Sequence, residues 1–254
     1  MLRARGLLRP GVPAAFGGSR ALPATPGPGP GPAEAEGDPG LARFSSPGLE
    51  RRLRGLAGVR GGFVSEREAA ELLREVEPAL RRGRYQRDHW DRAISGYRET
   101  ERDLGGVLGG SLLPRLAPWF PPHAPPRPRA HVLDLEPGGA VGPHVDSTKF
   151  CGCTIAGLSL LSSSVLRLRS LRDPREHLEL LLEPGSLYVL RGAARFEFTH
   201  EILAEPESFF GGLRVPRGRR VALIFRNAPQ ETPPDPLGDL PAFIEDPREP
   251  PDPK

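Results

Sequence analysis

Residues 154–192 read TIAGLSLLSSSVLRLRSLRDPREHLELLLEPGSLYVLRG. Four short β-prone runs, TIAGLSLL, VLRLRS, HLELLLEP and SLYVLRG, are separated by SSS, RDP and PGS, which are turn chemistry. VLRLRS and HLEL alternate apolar with polar, so each predicts a strand with one wet face. TIAGLSLL is apolar at nearly every position, so it predicts a strand buried on both faces. Working outward, HVLDLE (131–136) precedes this stretch with a PGG turn after it, and RVALIFRN (220–227) follows it. VALIF is again apolar throughout. Six closely spaced short strands point to a sandwich or barrel.

The N-terminal side reads differently. Residues 61–84, GGFVSEREAAELLREVEPALRRGR, contain a helix start. Ser65 is an N-cap and Glu68, three residues on, completes a capping box. Ala69, Leu72, Leu73, Val76 and Leu80 follow at helical spacing, so one face packs on the core, and Pro78 ends or kinks the helix. Mainly β with flanking helices is therefore the expected class. Residues 83–130 are harder to read, and LPRLAPWFPPHAPPRPR (113–129) predicts an irregular surface loop.

The chain has 254 residues, with 31 Gly and 32 Pro. Together these are roughly a quarter of the chain, near low-complexity composition, but the prolines cluster in residues 1–40, 114–128 and 229–253. What lies between is ordinary globular sequence. No apolar run approaches the ~20 residues of a membrane span, so none is expected. Two cysteines, Cys151 and Cys153, exclude a disulfide scaffold or a zinc-finger array. Apart from Lys149 and Lys254 every basic residue is arginine. Arg3, Arg5, Arg9 and Arg20 precede the first acid, Glu34, and without them the chain is close to neutral. The basic pI therefore gives no licence for nucleic-acid binding. That Arg-, Leu- and Ala-rich, acid-free start predicts a mitochondrial presequence and flexible linker over residues 1–40. A folded domain is expected over 41–227 and a Pro-rich disordered tail over 228–254.

The sharpest chemical feature is Gly142-Pro143-His144-Val145-Asp146. On an extended segment residues i and i+2 share a face, so His144 and Asp146 can reach one metal ion. The bland alternative is a strand-end histidine bonded to Asp146 with no metal. Of the third-ligand candidates, His177 ends a turn-like RDPRE, whereas His200 closes FEFTH beside apolar strands and is the better placed. Two histidines and one carboxylate leave open positions on the metal, as non-haem Fe(II) oxygenases require. In RVALIFR, Arg220 and Arg226 lie six apart and share a strand face. If that face is the inner one, a carboxylate or anion must meet them, and a dicarboxylate cosubstrate suits bidentate arginine. The local text leaves open that both point to solvent.

His144-x-Asp146, His200 and Arg220-x5-Arg226, taken in this order, resemble the AlkB branch of the Fe(II)/2-oxoglutarate-dependent dioxygenases. The resemblance covers roughly residues 59–227. The stretches HVDSTKFCGCTIAGLSLLSSSVLRL, ELLLEPGSLYVLRG, FEFTHEI and PRGRR are similar to the mitochondrial subgroup of that branch. The resemblance implies a double-stranded β-helix jelly roll with N-terminal helices packed on it. It also implies Fe(II) on His144, Asp146 and His200, and 2-oxoglutarate held by Arg220 and Arg226 with Tyr188. The implied reaction consumes O2 and 2-oxoglutarate, releases succinate and CO2, and hydroxylates a C–H bond. On an N-methyl group that hydroxylation becomes demethylation. The implied substrate is an N-methylated RNA nucleotide or a protein side chain, and the implied location is the mitochondrial matrix. The subgroup is associated with alkylation-triggered necrosis and mitochondrial energy and fatty-acid metabolism.

There are departures. Nucleic-acid-repairing members place an Asn and a Tyr where this chain has Leu133 and Leu135, and no clear nucleotide lid is visible in 83–130, so duplex DNA is not expected as substrate. A regulatory interaction protein on a slow or vestigial dioxygenase fold is the alternative from another class. A zinc hydrolase on the same ligands would leave the arginine pair unexplained. Cys151 and Cys153 read as buried small hydrophobes, and Lys149 as a surface lysine or one at the site mouth. Asp88, His89, Trp90 and Asp91 form an aromatic-acidic cluster that could line an entrance or pack under a loop. In PRGRR, Arg217 and Arg219 make a basic turn and only Arg220 is expected inward. Nothing in the sequence fixes the oligomeric state.

Overall fold

A computed structural model describes residues 37–87, 93–103 and 107–229. The expected presequence and linker, the cluster around Trp90 and the Pro-rich tail fall largely or wholly outside the described residues.

The elements in chain order are β1 (Ala42–Phe44), α1 (Pro47–Leu53), β2 (Ala57–Arg60), α2 (Glu66–Leu80), β3 (Ile94–Asp103) and α3 (Val107–Leu116), then β4 (Arg129–His144), β5 (Thr154–Leu161), β6 (Ser164–Ser170), β7 (His177–Leu182) and β8 (Leu187–Arg191). A single-turn α4 (Ala193–Phe196), β9 (Phe198–Ile202), the hairpin β10 (Phe209–Phe210) and β11 (Leu213–Arg214), and β12 (Arg220–Arg226) complete the described chain. One antiparallel sheet runs β1-β7-β6-β9-β4-β12-β5-β8-β2, with β3 added along β4. The fold is a double-stranded β-helix jelly roll with helices outside it.

Strand β4 is the joint of this sheet. Its first half pairs with β12 from Arg220↔Leu135 to Ile224↔His131. Its second half pairs with β9 at Val141↔Ile202 and His144↔His200, with a register shift between the two. The two walls therefore share one strand and close over an inner core. That core takes Leu133 and Leu135 of β4, Leu166 and Leu168 of β6, and Tyr188 and Leu190 of β8.

The other face of β12, β5 and β8 packs under the helices. Val221, Leu223 and Phe225 meet Leu72, Val76 and Leu80 of α2 in a second core. Strands covered on both faces must be apolar at every position, which is why TIAGLSLL and VALIF do not alternate. β6 and β7 are wet on one side and do alternate, with Arg167 paired to Glu179 at 3.2 Å.

Helix α2 begins as the sequence predicts, with the Ser65–Glu68 capping box formed, and it runs past Pro78 only to Leu80. An acid–arginine network fastens it to the sheet. Fully buried Asp134 accepts from Arg219 Nη2 at 2.7 Å, from Arg98 Nε at 2.8 Å and from the Tyr85 hydroxyl at 3.1 Å. Arg219 also reaches Glu77 of α2 at 2.7 Å.

Residues 83–130 hold more regular structure than the sequence shows, and only the start of the loop expected over 113–129 is helical. They supply the ten-residue β3, and α3 continues through Pro114 to Leu116. Leu112, Leu116, Trp119 and Phe120 are buried. Burying each such side chain gains about 1.5–3 kcal/mol, enough together to offset the ~3 kcal/mol cost of a helical proline.

Candidate metal centre and cosubstrate pocket

The sheet register builds the centre. His144 ends β4 directly opposite His200 on β9, and their ring centroids are 4.2 Å apart. Asp146, two residues beyond His144, turns Oδ1 to both imidazoles, 3.2 Å from His144 Nε2 and 3.5 Å from His200 Nε2. One ligand atom from each of the three residues lies within 4.8 Å of the others, the only such metal-capable group among the described residues. His177 joins no such group, and its Nδ1 bonds the Arg175 carbonyl.

Protonation states suit a metal. His144 Nδ1 lies 3.0 Å from the Gly142 carbonyl, a bond that keeps the hydrogen on Nδ1 when a metal replaces the one on Nε2. Burial pushes His200 below the usual histidine value and keeps it neutral. Burial works to raise Asp146, but the His144 and His200 contacts and the Arg226 charge outweigh it and hold the carboxyl well below its ordinary range. Two neutral imidazoles and one carboxylate are the donor set of a 2-His-1-carboxylate Fe(II) site.

Both arginines of β12 face inward. Arg220 is only 2% exposed. Its Nη2 donates to Ser159 Oγ at 2.9 Å, and its Nε has no hydrogen-bond partner. Burial pushes its guanidinium down to about 10. No carboxylate of the described residues forms an ion pair with it, so a buried cation stands without its anion, which is what the far carboxylate of a dicarboxylate would supply. Arg226 grips the outer oxygen of Asp146, with Nε at 2.9 Å and Nη2 at 2.8 Å from Oδ2. That leaves Oδ1 to the histidines. Tyr188 pairs with Gly157 across β5 and β8, and its ring occupies the space a Cβ at Gly157 would need, 2.1 Å from Cε1.

Arg217 does not enter the pocket. It donates to the backbone carbonyls of Leu203 and Gly139. Cys151 and Cys153 are free thiols, and Cys151 Sγ lies 3.7 Å from Asp146 Oδ2. Sequence reading missed two residues of this region. Arg195 is fully buried beside the centre with Nε and Nη1 unpartnered, and no periodicity in GAARFEF marks it. His131 bonds Arg226, and its odd register with Leu133 and Leu135 on the inner face of β4 is the signal that would have found it.

Residues 129–226 match the 2OG-Fe(II) oxygenase superfamily. A Bos taurus protein named mitochondrial alpha-ketoglutarate-dependent dioxygenase alkB homolog 7 is 54% identical over 203 residues, covering 80% of this chain and 92% of that one. Its Mus musculus namesake is 54% identical over 189 residues, 74% and 86% of the two chains. A solved Pseudomonas putida prolyl-4-hydroxylase superposes with a TM-score of 0.49 at 16% identity, over 69% of this chain and 93% of that one. The buried donor triad, the inward arginine and, above all, the two 54%-identical alkB homolog 7 relatives place the chain in the AlkB family of Fe(II)/2-oxoglutarate-dependent dioxygenases.

Proposed function

We propose that this dioxygenase works in the mitochondrial matrix and oxidatively demethylates N-methylated nucleotides in RNA. His144, Asp146 and His200 hold Fe(II), which with 2-oxoglutarate and O2 supplies the power to hydroxylate a C–H bond. Arg220, supported by Ser159 Oγ, takes the far carboxylate of 2-oxoglutarate in the inner core, where water does not compete. Tyr188 closes the side of that pocket over Gly157. Arg226 contributes positive charge at the metal end while keeping Asp146 ionised and oriented. The iron chemistry belongs to the metal, and the chain's part is to hold, orient and exclude solvent.

The observation that carries the cosubstrate assignment is Arg220, a buried guanidinium with no anion of its own. Support for RNA comes from the segment that follows Asp146. Phe150 is 63% exposed there, and Lys149 Nζ lies 5.6 Å from its ring centroid. An exposed aromatic face beside a cation suits an unstacked base and its phosphate. Matrix location is supported by the Arg-rich, acid-free residues 1–33 and by relatives named mitochondrial.

The test is succinate and formaldehyde release with Fe(II) and 2-oxoglutarate on N-methylated RNA oligonucleotides and, in parallel, on methylated peptides. Release on RNA alone supports the reading, and release on peptides alone overturns the substrate assignment. Import of the full chain into isolated mitochondria, scored by protease protection inside the inner membrane, checks the location.

A further inference from the structure

Asp146 is gripped by Arg226, and Arg226 is itself held from behind. Its Nη1 lies 3.3 Å from His131 Nδ1, and His131 Nε2 lies 2.8 Å from Glu99 Oε2. A hydrogen-bonded chain thus runs from β3 through β4 and β12 to the centre, in the order Glu99, His131, Arg226, Asp146. The donors fix its direction. Arginine has no acceptor, so Nη1 donates and His131 Nδ1 must offer its lone pair. A carboxylate accepts, so His131 Nε2 carries the hydrogen and gives it to Glu99. Every link then uses one proton in one place, and the tautomer of His131 is set by its two neighbours.

We propose that His131, oriented by Glu99, is a positioning residue for the metal centre. It anchors the third nitrogen of Arg226, so that Nε and Nη2 stay on Oδ2 of Asp146 and Oδ1 stays turned to His144 and His200. Without that anchor the guanidinium rotates about its stem, Asp146 gains rotamer freedom, and the ligand set must be ordered again at each metal binding. Outer partners of this kind typically change metal affinity 10–100-fold. The inference rests on the triad being a divalent-metal site, as proposed above.

Mn(II) binding to the full chain, measured by calorimetry without O2 or 2-oxoglutarate, tests it free of turnover. His131→Leu is expected to weaken Mn(II) about 10-fold or more. His131→Gln, which can still present an acceptor to Arg226, is expected to stay within about 3-fold of wild type. In an Arg226→Lys background the same His131→Leu change is expected to shift affinity less than 2-fold, because the partner it acts through is gone. Glu99→Leu, a change on the exposed face of β3, is expected to cost several-fold and serves if His131→Leu does not fold. Equal Mn(II) affinity in wild type and His131→Leu, or an undiminished loss in the Arg226→Lys background, overturns the inference. Failure of wild type itself to bind Mn(II) would instead overturn the metal-site reading beneath it.

Discussion

Gly157 shows how finely single positions set the pocket. A methyl group there would overlap the Tyr188 ring, so Gly157→Ala is expected to cost about 1–3 kcal/mol by overpacking and to push the phenol out of place. Calorimetric titration with N-oxalylglycine on the Mn(II)-loaded protein should show weaker binding together with the lower stability. Arg220→Ala removes the buried cation that awaits an anion. It is expected to weaken N-oxalylglycine by about 2–5 kcal/mol, read in the same titration, with Mn(II) affinity little changed. Asp146→Ala removes the carboxylate shared by both histidines and should abolish Mn(II) binding. The arginines were legible as a pair from their even spacing, but not which partner each would find. Contacts such as Arg226 to Asp146 join residues 80 positions apart, and only the strand register brings them together.

At the level of elements, α2 is bound to the sheet by charge as well as by its apolar stripe. Hydrogen bonds from Arg219, stronger than the opposing effect of burial, hold the Glu77 carboxyl at about 2, against an ordinary 4.5. A folded value below the unfolded one stabilises fully above about pH 4.5, and that contribution is lost as pH falls toward 2. Urea midpoints should therefore drop across that window, and Glu77→Gln should flatten this part of the profile. Arg219→Met leaves fully buried Asp134 with Arg98 as its remaining ion-pair partner, and is expected to cost about 3 kcal/mol in chemical denaturation. Strands β5, β6, β7, β8 and β12 were readable because burial on one or two faces writes itself into alternation or its absence. β3 was not. ISGYRETERD carries charges on a strand whose Tyr97 is in the core while Arg98, Glu99, Glu101 and Asp103 lie against Asp134, His131 and Arg129, so its pattern depends on partners rather than on hydropathy. α3 was hidden by Pro114.

For the whole molecule, ligand binding and folding are one equilibrium. The triad joins β4 to β9, and Arg220 joins β12 to β5 through Ser159, so a metal and cosubstrate held as proposed would tie both walls together. Saturating Mn(II) with N-oxalylglycine at about 100 times its Kd should add about 2.7 kcal/mol from the latter alone. For a domain of this size that raises Tm by roughly 5–10 °C. Differential scanning fluorimetry checks this, and in Arg220→Ala, at the same N-oxalylglycine concentration, that increment should fall below about 1 kcal/mol while the Mn(II) increment remains. A sandwich or barrel was legible from turn spacing and strand lengths, and the jelly roll only through the family resemblance. Its closure through one shared strand was not, because pairing order leaves no trace in local composition.

That shared strand has an evolutionary corollary. The two imidazoles stand on facing rungs of a backbone ladder, so the gap between them is inherited from interstrand spacing, and only Asp146 is set by loop conformation. Rims and entrance segments are then free to drift toward new targets while the oxidising machinery keeps its bite.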